Sequence, residues 1–238
     1  MIKYEVIKEL GSGAGTVIHL CKKNGEYVVL KELVDSHYFD NLEDELKILS
    51  KLSPHKYIVH LQESFVFGNK IYLQYEYYSQ GDLYDFIKEY ATFDESKALI
   101  LLSQLTSALL HAKQLGYYHC DIKPENILLR TQNEFVLSDW DLARKEKNTS
   151  SSLHYGSSLG MAPEVMLGQI SHTSDVYSLG CLLYFCLFGQ RVFDLKTSES
   201  RYERVLKHIE NIPKLPTNNN LSARFKQLLK AMLYKNPI

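Results

Sequence analysis

The order of periodicities along the chain predicts an α+β protein of two lobes, a small antiparallel β-sheet lobe with one helix followed by a larger, mainly helical lobe. Two observations predict it. Short runs of alternating apolar and polar residues, broken by Gly or Asn-Gly, fill roughly the first eighty positions. Beyond SQGD (79–82) the apolar spacing lengthens to three and four residues. The length of 238 residues suits such a pair of lobes with a cleft between them. Residues 1–78 form the expected first lobe and 79–238 the second.

The strand-like runs are YEVIKEL, TVIHLCKK, YVVLKEL, HLQESFVF and KIYLQYEYY, with breaks at GSGAG, NG and GN, the pattern of a meander of hairpins. One helix interrupts them. NLEDELKILSKL (41–52) sets Leu42, Leu46, Leu49 and Leu52 on one face; Glu45 belongs to that face, and Glu43 and Asp44 point elsewhere. The second lobe opens with DLYDFIKEY and continues with DESKALILLSQLTSALLHAKQLG, whose Gly116 reads as a helix C-cap. SDVYSLGCLLYFCLF and LSARFKQLLKAML complete the helices. The apolar stretch at 177–188 is too short to span a bilayer and reads as a buried helix.

Composition narrows the function. With 27 Lys and Arg against 28 Asp and Glu, the net charge of −1 carries no basic footprint for nucleic acid or a membrane surface. Cys21, Cys120, Cys181 and Cys186 are scattered, with no CxxC pair, which is free-thiol usage typical of a reducing compartment. MIKYEVIKEL lacks the continuous apolar core of a signal peptide. The expected setting is the cytoplasm, with the nucleus as the alternative.

Chemistry concentrates near the predicted cleft. GSGAGTV (11–17) joins two strands through glycines that permit a tight turn and let backbone N–H groups approach a phosphate, although a plain hairpin carries the same residues. Lys31 ends the apolar run YVVLK, and Glu45 is the carboxylate on the core-facing side of the next helix. A buried lysine needs a partner, and this pair is the obvious one. YHCDIKPENILL (118–129) gathers Asp121, Lys123 and Asn126 in one loop: a carboxylate to take a hydroxyl proton, an ammonium to hold a phosphoryl group, and an amide oxygen able to ligate a hard cation. One hairpin later, SDWDLAR (138–144) adds Asp139 and Asp141.

Taken in order, these segments resemble the eukaryotic-type protein kinases, serine/threonine branch, over essentially the whole chain. GSGAGTV is similar to the glycine-rich loop, VVLK to the strand lysine, Glu45 to its helix partner and HCDIKPEN to the catalytic loop. SDWD resembles the metal-binding Asp-Phe-Gly segment, MAPE (161–164) the Ala-Pro-Glu segment, and SDVYSLG the start of the central helix with Asp175. The resemblance implies ATP and Mg²⁺ as cofactors and a protein Ser/Thr hydroxyl as acceptor; a monomer without nucleic-acid or membrane partners is expected. It implies that Asp121 orients the hydroxyl, Lys123 steadies the γ-phosphate, Asn126 and Asp139 hold Mg²⁺, and Lys31, fixed by Glu45, holds the α- and β-phosphates under Gly11, Gly13 and Gly15. Adenine would lie between Val17 and Val29 above and Leu128 below, bonding to the backbone at Glu76 and Tyr78, with Tyr75 at the back pocket and Asp82 near the ribose. Ser157 stands where the branch usually has threonine, and Asp175 would hold the catalytic-loop backbone from below.

Several positions depart from the family pattern. Asp141 replaces the glycine of Asp-Phe-Gly, restricting the backbone and adding negative charge; a favoured inward state and weakened nucleotide binding are both open consequences. Matching Gly15 and Val17 to the family's third glycine and valine leaves the loop one residue short. Cys120 replaces the arginine before the catalytic aspartate, so the cationic pocket for a phosphorylated loop is incomplete. Trp140 replaces phenylalanine and is expected to pack on His119 and Leu49. KNPI stops about two residues before the arginine that would pair with Glu164, which leads to an expected truncated C-terminus and an unpaired Glu164 unless another group substitutes. Two functions follow: an active serine/threonine kinase, and a pseudokinase acting as a nucleotide-binding or scaffold module. A small-molecule kinase is disfavoured by the MAPE segment.

Overall fold

The computed structural model describes residues 4–13, 15–34, 39–145, 160–166, 169–193, 203, 207, 214–217 and 219–234. Five strands, β1 (Tyr4–Gly13), β2 (Thr16–Lys23), β3 (Glu26–Leu33), β4 (Leu61–Phe67) and β5 (Lys70–Glu76), form an antiparallel sheet in the order β1-β2-β3-β5-β4. Asn24 and Gly25 turn β2 into β3 with φ of 53° and 91°, the positive values a two-residue hairpin needs. That turn sets the register: Lys23 faces Glu26, Leu20 faces Val29 and Ile18 faces Lys31.

Alternation gives the sheet two chemically different faces. Cys21, Val28 and Leu30 are buried on the outer face with Tyr4, Phe65 and Tyr72, beside a His19–Glu32 contact of 2.9 Å. Leu33, Leu73 and Tyr75 on the inner face join the main core, which includes Ile48, Leu49 and Leu52 of α1 (Phe39–Leu52). Leu46 is half-buried against that core, and the Leu42 side chain lies outside the described part.

The second lobe begins with α2 (Leu83–Glu89) and α3 (Glu95–Gln114). Each is capped by an aspartate, Asp82 accepting from Asp85 N at 2.9 Å and Asp94 from Lys97 N at 2.8 Å, which satisfies otherwise orphaned helix N–H groups. Gly116 follows α3 at φ 79°. Two small pairings come next: β6 (Tyr117–Tyr118) with β9 (Arg144–Lys145), and β7 (Ile127–Thr131) with β8 (Glu134–Leu137). After α4 (Pro163–Met166), α5 (His172–Phe188) is buried along almost its whole length, as a helix apolar on all sides must be. Gly180 lets it approach α6 (Ala223–Met232): a Cβ there would lie 3.0 Å from Met232 Cβ.

The lobes are stitched behind the cleft. Leu137 N donates to Tyr57 O and Val59 N to Leu137 O, both at 2.9 Å. Arg130 of β7 reaches Glu76 at the end of β5, with Nη2 3.2 Å from Oε2, and the Tyr78 hydroxyl donates to the same oxygen at 3.2 Å. No helix among the described residues is long and apolar enough to cross a membrane.

Candidate active site

Asp175, in the first turn of α5, anchors the loop between β6 and β7 by accepting the backbone N–H of His119 at 2.9 Å and of Cys120 at 3.0 Å. Burial raises the Asp175 carboxyl above its usual range, opposed by His119 and those two N–H groups. Cys120 sits at φ 65°, a left-handed conformation that costs a non-glycine residue roughly 1–2 kcal/mol. Burial, then the Asp175 charge, pushes its thiol up, so it is a poor thiolate.

The turn delivers Asp121 to the cleft. Its Oδ2 accepts from Lys123 Nζ at 2.6 Å and from Asn126 Nδ2 at 3.0 Å, and Asn126 Nδ2 also donates to the Asp121 carbonyl at 2.9 Å. Asn126 thus uses its N–H end on the loop, and its oxygen is the end able to meet a cation. Burial works against the Lys123 charge, but Asp121 outweighs it and holds the ammonium above its ordinary range.

His119 links this loop to the segment after β8. Its Nδ1 accepts from Asp121 N at 3.2 Å and its Nε2 donates to Ser138 O at 2.9 Å. The ring meets Trp140 edge-on, centroids 4.5 Å apart, and Trp140 is fully buried. Ser138 donates to the Asn126 carbonyl through both N and Oγ, each at 2.9 Å.

On the opposite wall, Lys31 Nζ lies 2.9 Å from Glu45 Oε2 and 3.7 Å from Asp139 Oδ1, and the Tyr75 hydroxyl donates to Glu45 Oε1 at 3.0 Å. Burial opposes the Lys31 charge; Glu45, then Asp139 and Asp141, outweigh it and keep the ammonium above its usual range. Asp139 has φ 62°. Asp141 is half-buried, its Oδ1 is shielded from solvent and has no hydrogen-bond partner among the described residues, and burial followed by the Asp139 charge raises its carboxyl to about 6.

Strand register corrects one expectation. Ile18 pairs with Lys31 and Val17 with Glu32, so Val17 lies on the outer face, and Ile18 shares the inner face with Val29 and Lys31. The loop then reads Gly11-x-Gly13-x-x-Thr16-x-Ile18, at full family length, with Thr16 in the third glycine's place and Gly15 at the tip at φ 73°. The expected one-residue shortening disappears. The two-residue turn at Asn24-Gly25 dictates this register, since Lys23 facing Glu26 brings Ile18 opposite Lys31.

Gly11 and Gly13 are the inner-face positions opposite Ile18 and Thr16, and a Cβ at either would meet nothing within 4 Å, so the backbone there is open. Leu128 is half-buried and bridges Asp82. Glu76 ends β5 opposite Val28, and Tyr78 is buried just beyond. Burial raises the Asp82 carboxyl against its helix-capping N–H bonds. Ser157 lies outside the described residues. Glu164 is not unpaired: Ser174 Oγ donates to its Oε1 at 2.9 Å.

The donor set fits the implied nucleotide and cation. Asp139 and Asn126 offer hard oxygen donors, and Mg²⁺ commonly takes one or two carboxylates and completes its shell with phosphates and water. Among the described residues, no group of three or more His, Cys, Asp or Glu forms a self-sufficient cage. Lys31 supplies a fixed cation, and the bare loop supplies backbone N–H groups.

Comparison with known proteins agrees with this geometry. The family model described as protein kinase domain matches residues 4–238. Serine/threonine-protein kinase AtPK2/AtPK19 of Arabidopsis thaliana is 31% identical over 243 residues, covering 98% of this chain and 50% of its own length. CBL-interacting protein kinase 21 of Oryza sativa subsp. japonica is 32% identical, covering 100% of this chain and 47% of itself. Serine/threonine-protein kinase Sgk1 of Homo sapiens is 28% identical, covering 98% and 55%. The chain therefore spans about half the length of the relatives it matches.

Proposed function

The chain belongs to the protein kinase family, and from that premise we propose that it transfers the γ-phosphoryl group of ATP to serine or threonine hydroxyls of protein substrates. The observation that carries the reading is the convergence on one cleft of the Lys31–Glu45 pair, Asp139 and the Asp121–Lys123–Asn126 cluster. ATP with Mg²⁺ supplies the transferable group and the charge that offsets its oxygens.

Asp121 holds the acceptor hydroxyl and takes its proton on a carboxylate oxygen. Lys123, already on Asp121, sits where its ammonium can steady the oxygens of the moving phosphoryl group. Lys31, positioned by Glu45, grips the remaining phosphates, and Asp139 with Asn126 provides the oxygen donors for the cation. Ile18, Val29 and Leu128 form the apolar slot for the base.

A second reading, a nucleotide-binding scaffold without catalysis, is favoured by Asp141 alone, which adds a buried negative charge beside Asp139. Transfer of labelled γ-phosphate to a generic serine peptide separates the two. The wild type should transfer, and Asp121→Asn and Asp139→Asn should each lose about a hundredfold or more. Folded wild type that binds ATP and transfers nothing would refute the catalytic reading.

A further inference from the structure

Thr16 stands in the third glycine's place and brings a hydroxyl to a position where the family pattern has no side chain. It begins β2, where it pairs with Gly13 of β1 and Leu33 of β3. Its Oγ1 donates to the Gly13 carbonyl at 2.8 Å, and the branch at its Cβ limits the rotamers that would break this bond. On the other side of the turn, Val34 N donates to the Gly15 carbonyl at 2.9 Å. Gly15 itself has φ 73°, a left-handed value that glycine adopts freely. The turn is thereby fastened twice, to β1 through a side chain and to the end of β3 through the main chain.

Thr16 shares the inner face with Ile18, two residues on. The fastening therefore sits over the cleft, beside the backbone that Gly11 and Gly13 leave open. A loop without such bonds has to be ordered when a ligand arrives, and ordering backbone costs conformational entropy that weakens binding. We propose that Thr16 is a positioning residue for the nucleotide: its hydroxyl holds the glycine turn closed beforehand, so that the phosphates meet backbone N–H groups already in place. This rests on the kinase reading above and deepens it by adding a residue to the nucleotide grip. The hydroxyl acts through the Gly13 carbonyl and touches no reacting atom. Thr16 is half-buried, so the bond has the worth of an ordinary neutral hydrogen bond, about fivefold in an equilibrium constant.

The test compares wild type with Thr16→Val, which keeps the branch and removes the donor, and Thr16→Ser, which keeps the donor. Two quantities are read: the Kd of a non-hydrolysable ATP analogue with Mg²⁺, and backbone hydrogen exchange of residues 11–17 in the nucleotide-free protein. Thr16→Val should raise Kd about fivefold and speed the exchange, and Thr16→Ser should restore both to within about twofold of wild type. KM for ATP should follow Kd while kcat stays within about twofold; a merely structural role would lower the active fraction and leave KM alone. Equal Kd in all three proteins overturns the proposal and leaves the kinase reading intact. A weaker Kd with unchanged exchange also overturns it, since the hydroxyl would then act on the nucleotide directly. Wild type that transfers nothing but binds the analogue in this Thr16-dependent way refutes the kinase reading and upholds the proposal; a wild type that binds no nucleotide ends both.

Discussion

Replacing Asp141 by Asn probes the most unusual charge in the cleft. One of its oxygens is shut off from water without a hydrogen bond among the described residues, and burial together with Asp139 lifts the carboxyl from 3.8 to about 6. The folded protein therefore holds this proton more tightly than the unfolded chain does. Stability associated with the group is fully present below about pH 4 and is lost as pH rises through about 6. A difference of roughly two pKa units corresponds to about 3 kcal/mol. Asparagine has no proton to lose. Thermal or urea unfolding in metal-free buffer should give the smallest gap between Asp141→Asn and wild type near about pH 4. By about pH 7.5 the variant should be the more stable by up to about 3 kcal/mol, worth roughly 6–12 °C in Tm for a chain of this size. Groups common to both proteins cancel in the difference. A gap that stays constant across that range would show that the buried charge does not strain the folded state, and the reasoning would fail.

Three other outcomes follow from the geometry. Ile18→Ala should raise KM for ATP about tenfold while Val17→Ala leaves it near wild type, since only Ile18 shares a face with Val29 and Lys31; the reverse order would refute the register. Lys31→Met leaves Glu45 buried with only the Tyr75 hydroxyl of its present partners among the described residues, and urea titration should find a loss of about 3–5 kcal/mol, accompanied by loss of the ATP-dependent Tm shift. Gly180→Ala forces a Cβ against Met232 and Leu233, so chemical unfolding should report a cost of about 1–3 kcal/mol, with activity per folded molecule unchanged.

Local chemistry made much of this legible in the sequence. Asn24-Gly25 announces its own turn, and a lysine in an apolar strand asks for the carboxylate on the neighbouring helix face. What stayed hidden depends on distance along the chain or on shortness. β6 and β9 have two residues each, too few for any periodicity. Arg130 finds Glu76 across 54 positions, and Ser174 in the first turn of α5 reaches back to Glu164 of α4. Val17 differs from its expected place because the strict alternation that a two-residue turn imposes sets the strand's faces, whatever the spacing of the glycines before it.

The contacts around Ser138 have a mechanical consequence. Ser138 holds Asn126 through two hydrogen bonds, His119 holds Ser138, and Trp140 is pressed against His119. Asp121, the proposed proton acceptor, and Asp139, the proposed cation ligand, are thereby bolted into one block, whereas Lys31 rides on the sheet and meets that block across the 3.7 Å gap to Asp139. A displacement of the sheet relative to that block would change the Lys31–Asp139 distance and leave the spacing between Asp121 and Asp139 as it is.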